Sequence, residues 1–235
     1  MQRDEIQRIC ESQVLDIATA RFGARRDALK VFPEYEGAAN LVYGIETGAT
    51  PLILRVSYTS ERTLEQIQAE LHFVNYLFEN GVSVSRPLLS KNGNWVETVE
   101  AAGIPFHIVT FVKGKGMRVP DNDYRYRSDA PIEEYFRNWG RMLGQMHALT
   151  QNYRPESASV RRPEWFDLHK SRLARVAELP ERLHRVQERI QSLLDELRAL
   201  PKDSASFGLI HGDFNDGNFT VDYAIVEVEN GQLAV

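Results

Sequence analysis

Apolar positions step by three and four from Ile6 through Ile9, Cys10, Val14, Ile17 and Ala18. That spacing predicts a helix over residues 4–22, stopped by Gly23. The pattern then shortens and alternates. Residues 29–32, 40–46 and 51–56 read as strands, with Gly48-Ala49-Thr50 suited to a hairpin between the last two. A second helical stripe, Leu64, Ile67, Leu71, Val74, Leu77 and Phe78, predicts a helix over residues 63–80 with Asn80-Gly81 as its stop. Two further strands flank the tight-turn signal Asn92-Gly93-Asn94, and the run 106–112 follows. This half is expected to hold about five antiparallel strands and one inserted helix. Beyond Lys113-Gly114-Lys115-Gly116 the period turns helical. Tyr135, Phe136, Trp139, Leu143, Met146 and His147 mark a helix over 133–149. Leu183, Val186, Ile190, Leu193, Leu194 and Leu197 mark one or two helices over 168–200, broken near Pro180.

Composition narrows this picture only a little. The 235 residues, 43% hydrophobic and 26% charged, can bury a core as one large domain or two lobes. A net charge of −5 argues against a surface that binds nucleic acid throughout. No apolar run reaches the ~18 residues of a spanning helix, and no secretion segment follows Met1. Cys10 is the only cysteine and lies on an apolar stripe, which makes it a structural thiol. A cytoplasmic protein without membrane or nucleic-acid partners is the expectation.

The chemistry concentrates in His211-Gly212-Asp213-Phe214-Asn215-Asp216-Gly217-Asn218, between the apolar run 207–210 and the extended run 219–221. Phosphoryl transfer needs a carboxylate to orient a hydroxyl and accept its proton. It also needs an amide oxygen nearby to hold a metal against phosphates. Asp213 and Asn218, five positions apart, suit those two tasks. The pattern H-G-D-x-x-x-x-N, with Gly212 where protein kinases carry Arg, resembles the aminoglycoside phosphotransferase and choline kinase branch of the kinase-like superfamily.

That resemblance implies an α+β, bilobal protein-kinase-like fold. Residues 1–112 would form a nucleotide-binding lobe with an antiparallel sheet, and residues 113–235 a hinge and a partial helical lobe. It also implies ATP and Mg2+ as cofactors. Asp213 would be the catalytic base, His211 would hold the catalytic loop, and Asn218 would hold the metal. Gly37, Ala38, Ala39 and Asn40 would cover the phosphates. Arg55, where the family usually has Lys, would meet phosphates and pair with Glu70. The segment with Thr110, Phe111 and Val112 would read the adenine edge through its backbone.

The hairpin expected over 226–235, with Asn230-Gly231 as its turn, precedes the position where this family carries a second metal-binding Asp. Asp222, Glu227 and Glu229 are candidates for a displaced ligand. The chain is therefore expected to lack the rest of the helical lobe, to expose stripe residues such as Leu193 and Leu197, and to self-associate. The activity implied is phosphoryl transfer to a hydroxyl of a small molecule, such as an aminoglycoside, choline or homoserine. Two alternatives stay open: a fragment or pseudokinase that binds nucleotide without efficient turnover, and a Ser/Thr protein kinase of the same superfamily. A metal hydrolase built on His211 and Asp213 is weaker, because the clustered partners it needs are missing.

Overall fold

A computed structural model describes residues 2–31, 40–46, 50–58, 62–156, 161–222, 228–229 and 232–233. The chain opens with α1 (Arg3–Ile9), a π-helical turn over Cys10–Val14 and α2 (Leu15–Arg21), which together occupy the predicted first helix. Gly23 ends it with φ +76°, a conformation that costs a residue with a Cβ. Strands β1 (Leu29–Val31), β2 (Leu41–Ile45) and β3 (Leu52–Tyr58) follow, then α3 (Leu64–Glu79). Strands β4 (Pro87–Leu88), β5 (Glu97–Ala101) and β6 (Ile104–Val112) complete an antiparallel sheet in the order β1-β2-β3-β6-β4, with β5 also on β6.

Period-two alternation divides this sheet between two helical layers. Leu54 and Val56 of β3, with Phe106 and Ile108 of β6, are fully buried against Cys10, Val14 and Ala18 of the N-terminal helix. Burial pushes the Cys10 thiol up to about 12, as suits an inert core residue. On the other face, Val109 and Phe111 pack against Ile67 and Leu71 of α3. The first turn of α3 is held by a capping box. Thr63 Oγ1 accepts the Gln66 N–H at 3.3 Å, and Gln66 Oε1 accepts the Thr63 N–H at 3.2 Å.

The strands beside Asn92-Gly93-Asn94 do not pair with each other: β4 and β5 both pair with β6. The turn is closed locally, with the Ser90 N–H on Asn94 O at 2.8 Å, and Glu97 accepts bonds from Ser90, Asn92 and Asn94 beneath it. The tight hairpin lies instead between β5 and β6, where Ala102 and Gly103 both have positive φ.

The helical part comprises α4 (Ile132–Thr150), α5 (Trp165–Leu168), α6 (Lys170–Ala174) and α7 (His184–Ala199). The break expected at Pro180 spreads over two short 3₁₀ segments, Arg175–Glu178 and Glu181–Leu183. The apolar run 207–210 is irregular rather than a strand: Phe207 and Ile210 are exposed, and Gly208 approaches the Thr150 hydroxyl. Leu193 and Leu197 of α7 are also exposed. At the end of the described chain, β7 (Val228–Glu229) pairs antiparallel with β8 (Gln232–Leu233), in the place of the expected hairpin. No helix among the described residues is long and apolar enough to cross a membrane.

Candidate active site

The predicted residues form two clusters, one on β3 and α3 and one in the loop 211–218. The first grows from β3 and α3. Alternation puts Arg55 on the α3 face of the sheet, and helical spacing puts Glu70 beside Ile67 and Leu71. Arg55 Nη1 donates to Glu70 Oε1 at 2.7 Å, with both side chains mostly buried. Arg62, just before α3, ion-pairs with the other Glu70 oxygen. Burial pushes the Glu70 carboxyl up, but Arg55 and Arg62 outweigh it and hold the group below its ordinary value. The Arg55 guanidinium also lies over the Phe111 ring, 5.0 Å from its centroid. Its buried Nε and Nη2 hydrogen-bond to no described residue.

The second cluster is the loop 211–218. Asp213 is exposed, and each of its carboxylate oxygens already carries one bond. Asn215 Nδ2 donates to Oδ1 at 2.7 Å, and Asn218 Nδ2 to Oδ2 at 2.9 Å. Asn218 Nδ2 also reaches the Asp213 carbonyl at 2.7 Å, which commits the amino side of that amide to the loop. The short 3₁₀ turn Asp216–Asn218 is capped by Asn215 Oδ1, accepting the Gly217 N–H at 2.9 Å. His211 Nδ1 accepts the Asp213 N–H at 3.4 Å, which places the ring proton on Nε2. Desolvation lowers the His211 value against the pull of Asp213 and Glu70, favouring that neutral ring.

Aromatic side chains anchor the loop to α4. Phe214 and Phe219 stack at 5.6 Å, and both lie against Trp139. Phe214 also enters the apolar cluster of Leu77, Val82 and Met146. Sequence reading placed Trp139 on the helical stripe but did not connect it with these phenylalanines. Their positions, one residue after Asp213 and one after Asn218, were the available signal.

A cavity of about 190 Å³ lies between β3 and the end of the loop, lined by Ile53, Lys113, Gly114, Asn218 and Phe219 among others. Thr110 and Phe111 are paired on both sides, to β3 and β4, and the Val112 N–H is bound to Arg86 O at 2.9 Å. Strand pairing thus engages this backbone, the Lys113 N–H is likewise bound to Pro51 O at 2.9 Å, and Lys113 and Gly114 line the cavity. The Phe111 side chain supports Arg55. Asn40 Oδ1 accepts the Ser57 hydroxyl at 2.6 Å. Gly37, Ala38 and Ala39, with the rest of the expected phosphate loop, lie outside the described residues. Past the cavity, Met117 and Val221 exchange backbone hydrogen bonds of 3.1 and 2.8 Å. Gly116 is required there, since a Cβ would collide with the Val221 carbonyl.

Residues 33–235 match the phosphotransferase enzyme family. The chain belongs to that family. Over 214 residues it is 33% identical to the amicoumacin kinase of Bacillus subtilis (strain 168), covering 91% of this chain and 60% of that protein. Among solved structures, the amicoumacin kinase hAmiN in complex with AMP-PNP, Ca2+ and Ami superposes with a TM-score of 0.79 at 25% identity. That match covers 99% of this chain and 65% of that one. A microcompartment-associated aminopropanol kinase gives a TM-score of 0.68 at 24% identity, over 90% of this chain and 65% of its own. The chain thus spans under two thirds of the length of each of these proteins. Its antiparallel sheet and following helices form the α+β, kinase-like fold that they share.

Proposed function

We propose that this phosphotransferase-family chain binds ATP with a divalent cation and serves phosphoryl transfer to a hydroxyl group of a small molecule. The observation that carries the reading is the loop 211–218, where Asn218 and Asn215 fix both oxygens of Asp213. A carboxylate offers about four lone-pair sites, so Asp213 keeps acceptor capacity for an incoming hydroxyl. It orients that hydroxyl and takes its proton, while the neutral His211 ring and the aromatic anchors hold the loop in place. Asn218, whose amide nitrogen is committed to Asp213, turns its oxygen to a hard cation.

The unsatisfied buried donors of Arg55 fit an oxyanion, and Glu70 fixes the direction of that guanidinium. Asn40, with Gly37, Ala38 and Ala39, covers the phosphates. The cavity bounded by Ile53, Lys113 and Phe219 takes the adenine. When bound, ATP supplies the phosphoryl group and the metal ion, Mg2+ in this reading, neutralises the charge that develops on it. The acceptor is a small hydroxyl compound of the aminoglycoside, choline or homoserine type, a class supported by the small-molecule kinases among the chain's relatives. Calorimetric titration with ATP and Mg2+, followed by phosphate-transfer assays on a panel of amino alcohols, tests this. Saturable nucleotide binding is expected. Absence of binding would reject the assignment, and binding without transfer to any hydroxyl compound would favour the nucleotide-binding pseudokinase.

A further inference from the structure

The pair Arg55–Glu70 belongs to a larger charge cluster. Arg62 reaches Glu70 from the turn before α3. Arg162, one hundred positions later in the sequence, donates from Nη1 to the carbonyl of Gln66 at 3.0 Å, one helical turn before Glu70. It lies close enough to Arg62, Glu70 and Arg55 to feel all three. Two guanidinium cations therefore pair with one carboxylate and a third is held one helical turn away, so that among the described residues the cluster carries two more positive charges than negative.

Such an excess is costly in a desolvated place unless an anion completes it. The strain is expressed at Arg162, which burial and Arg62 push below its ordinary value while Glu70 pulls back. Arg55 still has two buried donors without a described partner. Ile53, two positions before Arg55 on β3, lines the cavity that Asn218 also lines, so the cluster lies next to the candidate site.

We infer that Arg62 and Arg162 join Arg55 in a three-guanidinium cradle for the distal phosphate groups of the nucleotide. The planar fork of arginine matches the oxygens of a phosphoryl group, and a triphosphate brings the negative charge that the cluster lacks. Arg162 comes from the segment between α4 and α5, so the cradle also ties the helical part to α3 when an anion is present. The inference rests on the nucleotide-binding reading above, and it adds two residues that the motif did not reveal.

The test measures binding rather than turnover. Calorimetry and thermal-shift titrations on the full chain, at constant ionic strength, compare ATP, adenosine and inorganic tripolyphosphate. Arg162→Gln and Arg62→Gln should each weaken ATP and tripolyphosphate by about tenfold or more, as expected for loss of a charge-assisted bond, and leave adenosine almost unchanged. Arg162→Lys should recover part of the loss. Should Arg162→Gln fail to fold, Arg62→Gln and Arg162→Lys carry the same comparison. ATP affinity unchanged in these variants overturns the cradle and leaves the nucleotide assignment standing, as does equal weakening of ATP and adenosine. A wild-type chain that binds tripolyphosphate but not ATP keeps the anion site and rejects the nucleotide assignment. One that binds neither rejects both.

Discussion

The two ends of the candidate site are held by different physics. At the Arg55–Glu70 end, order comes from far along the chain: sheet register, the capped start of α3, and a carboxylate between guanidinium groups. At the Asp213–Asn218 end, most hydrogen bonds join residues within five positions of one another, and the side chains are exposed. Packing of Phe214 and Phe219 against Trp139, Tyr135 and the Leu77–Val82–Met146 cluster fastens that loop to the rest. Substitutions at the first end should therefore disturb fold and ligand together, whereas those at the second should disturb chemistry while sparing the fold.

Asp213→Ala gives the sharpest separation. Turnover should fall by ~10²–10⁴-fold, the usual worth of a positioned base. ATP affinity and the unfolding midpoint should barely move. Steady-state kinetics beside calorimetry and thermal unfolding would check this, and near-normal turnover would remove Asp213 from the base role. Arg55→Ala should weaken ATP by roughly 10–100-fold, the range of a lost charge-assisted hydrogen bond, with a smaller loss for adenosine. It should also lower stability, because Glu70 then loses one of its two direct ion pairs. Equal losses for the two ligands would mean that Arg55 serves the fold alone.

Asn218→Ala should raise the Mg2+ concentration needed for half-maximal activity and loosen the loop, since its amide also holds Asp213. An unchanged Mg2+ dependence would leave Asn218 a purely structural role. The smallest effect concerns His107 on β6, buried and bonded through Nδ1 to Thr98 Oγ1 at 3.0 Å. Burial lowers its value below the ordinary 6.5, so the folded state prefers the neutral ring. The stability this provides is complete above pH 6.5 and is lost as pH falls through the folded value. In denaturant titrations across that window, His107→Gln should flatten the slope. An unchanged slope would show that His107 does not drive it.

Much of the sheet half could be read from the sequence, because period and turn chemistry are local. The predicted positions of β2, β3 and α3 agree with the structure to within a residue or two. Pairing was harder: the Asn92-Gly93-Asn94 signal was genuine, but which strand receives β4 and β5 depends on contacts with β6. The motif brought Asp213 and Asn218 together because five positions suffice to close a hydrogen-bonded loop. Arg55 and Glu70, fifteen positions apart, could be paired through the family resemblance. Arg162 could not, since nothing local to it points back to Gln66 or Arg62. The run 207–210 looked like a strand because apolar residues carry the same signal whether or not a partner exists.

The bridge between Met117 and Val221 has a consequence for the timing of synthesis. The two residues stand 104 positions apart in the chain. At ~5–20 residues per second on the ribosome, Met117 waits roughly 5–20 s for its partner to be made. The largest apolar cluster, by contrast, draws its buried residues from Ile6 to Ile108 and needs nothing from that later stretch. The nascent chain can thus bury its sheet early, while the far wall of the cavity arrives last, so ligand added during translation would stabilise only chains that have passed Val221.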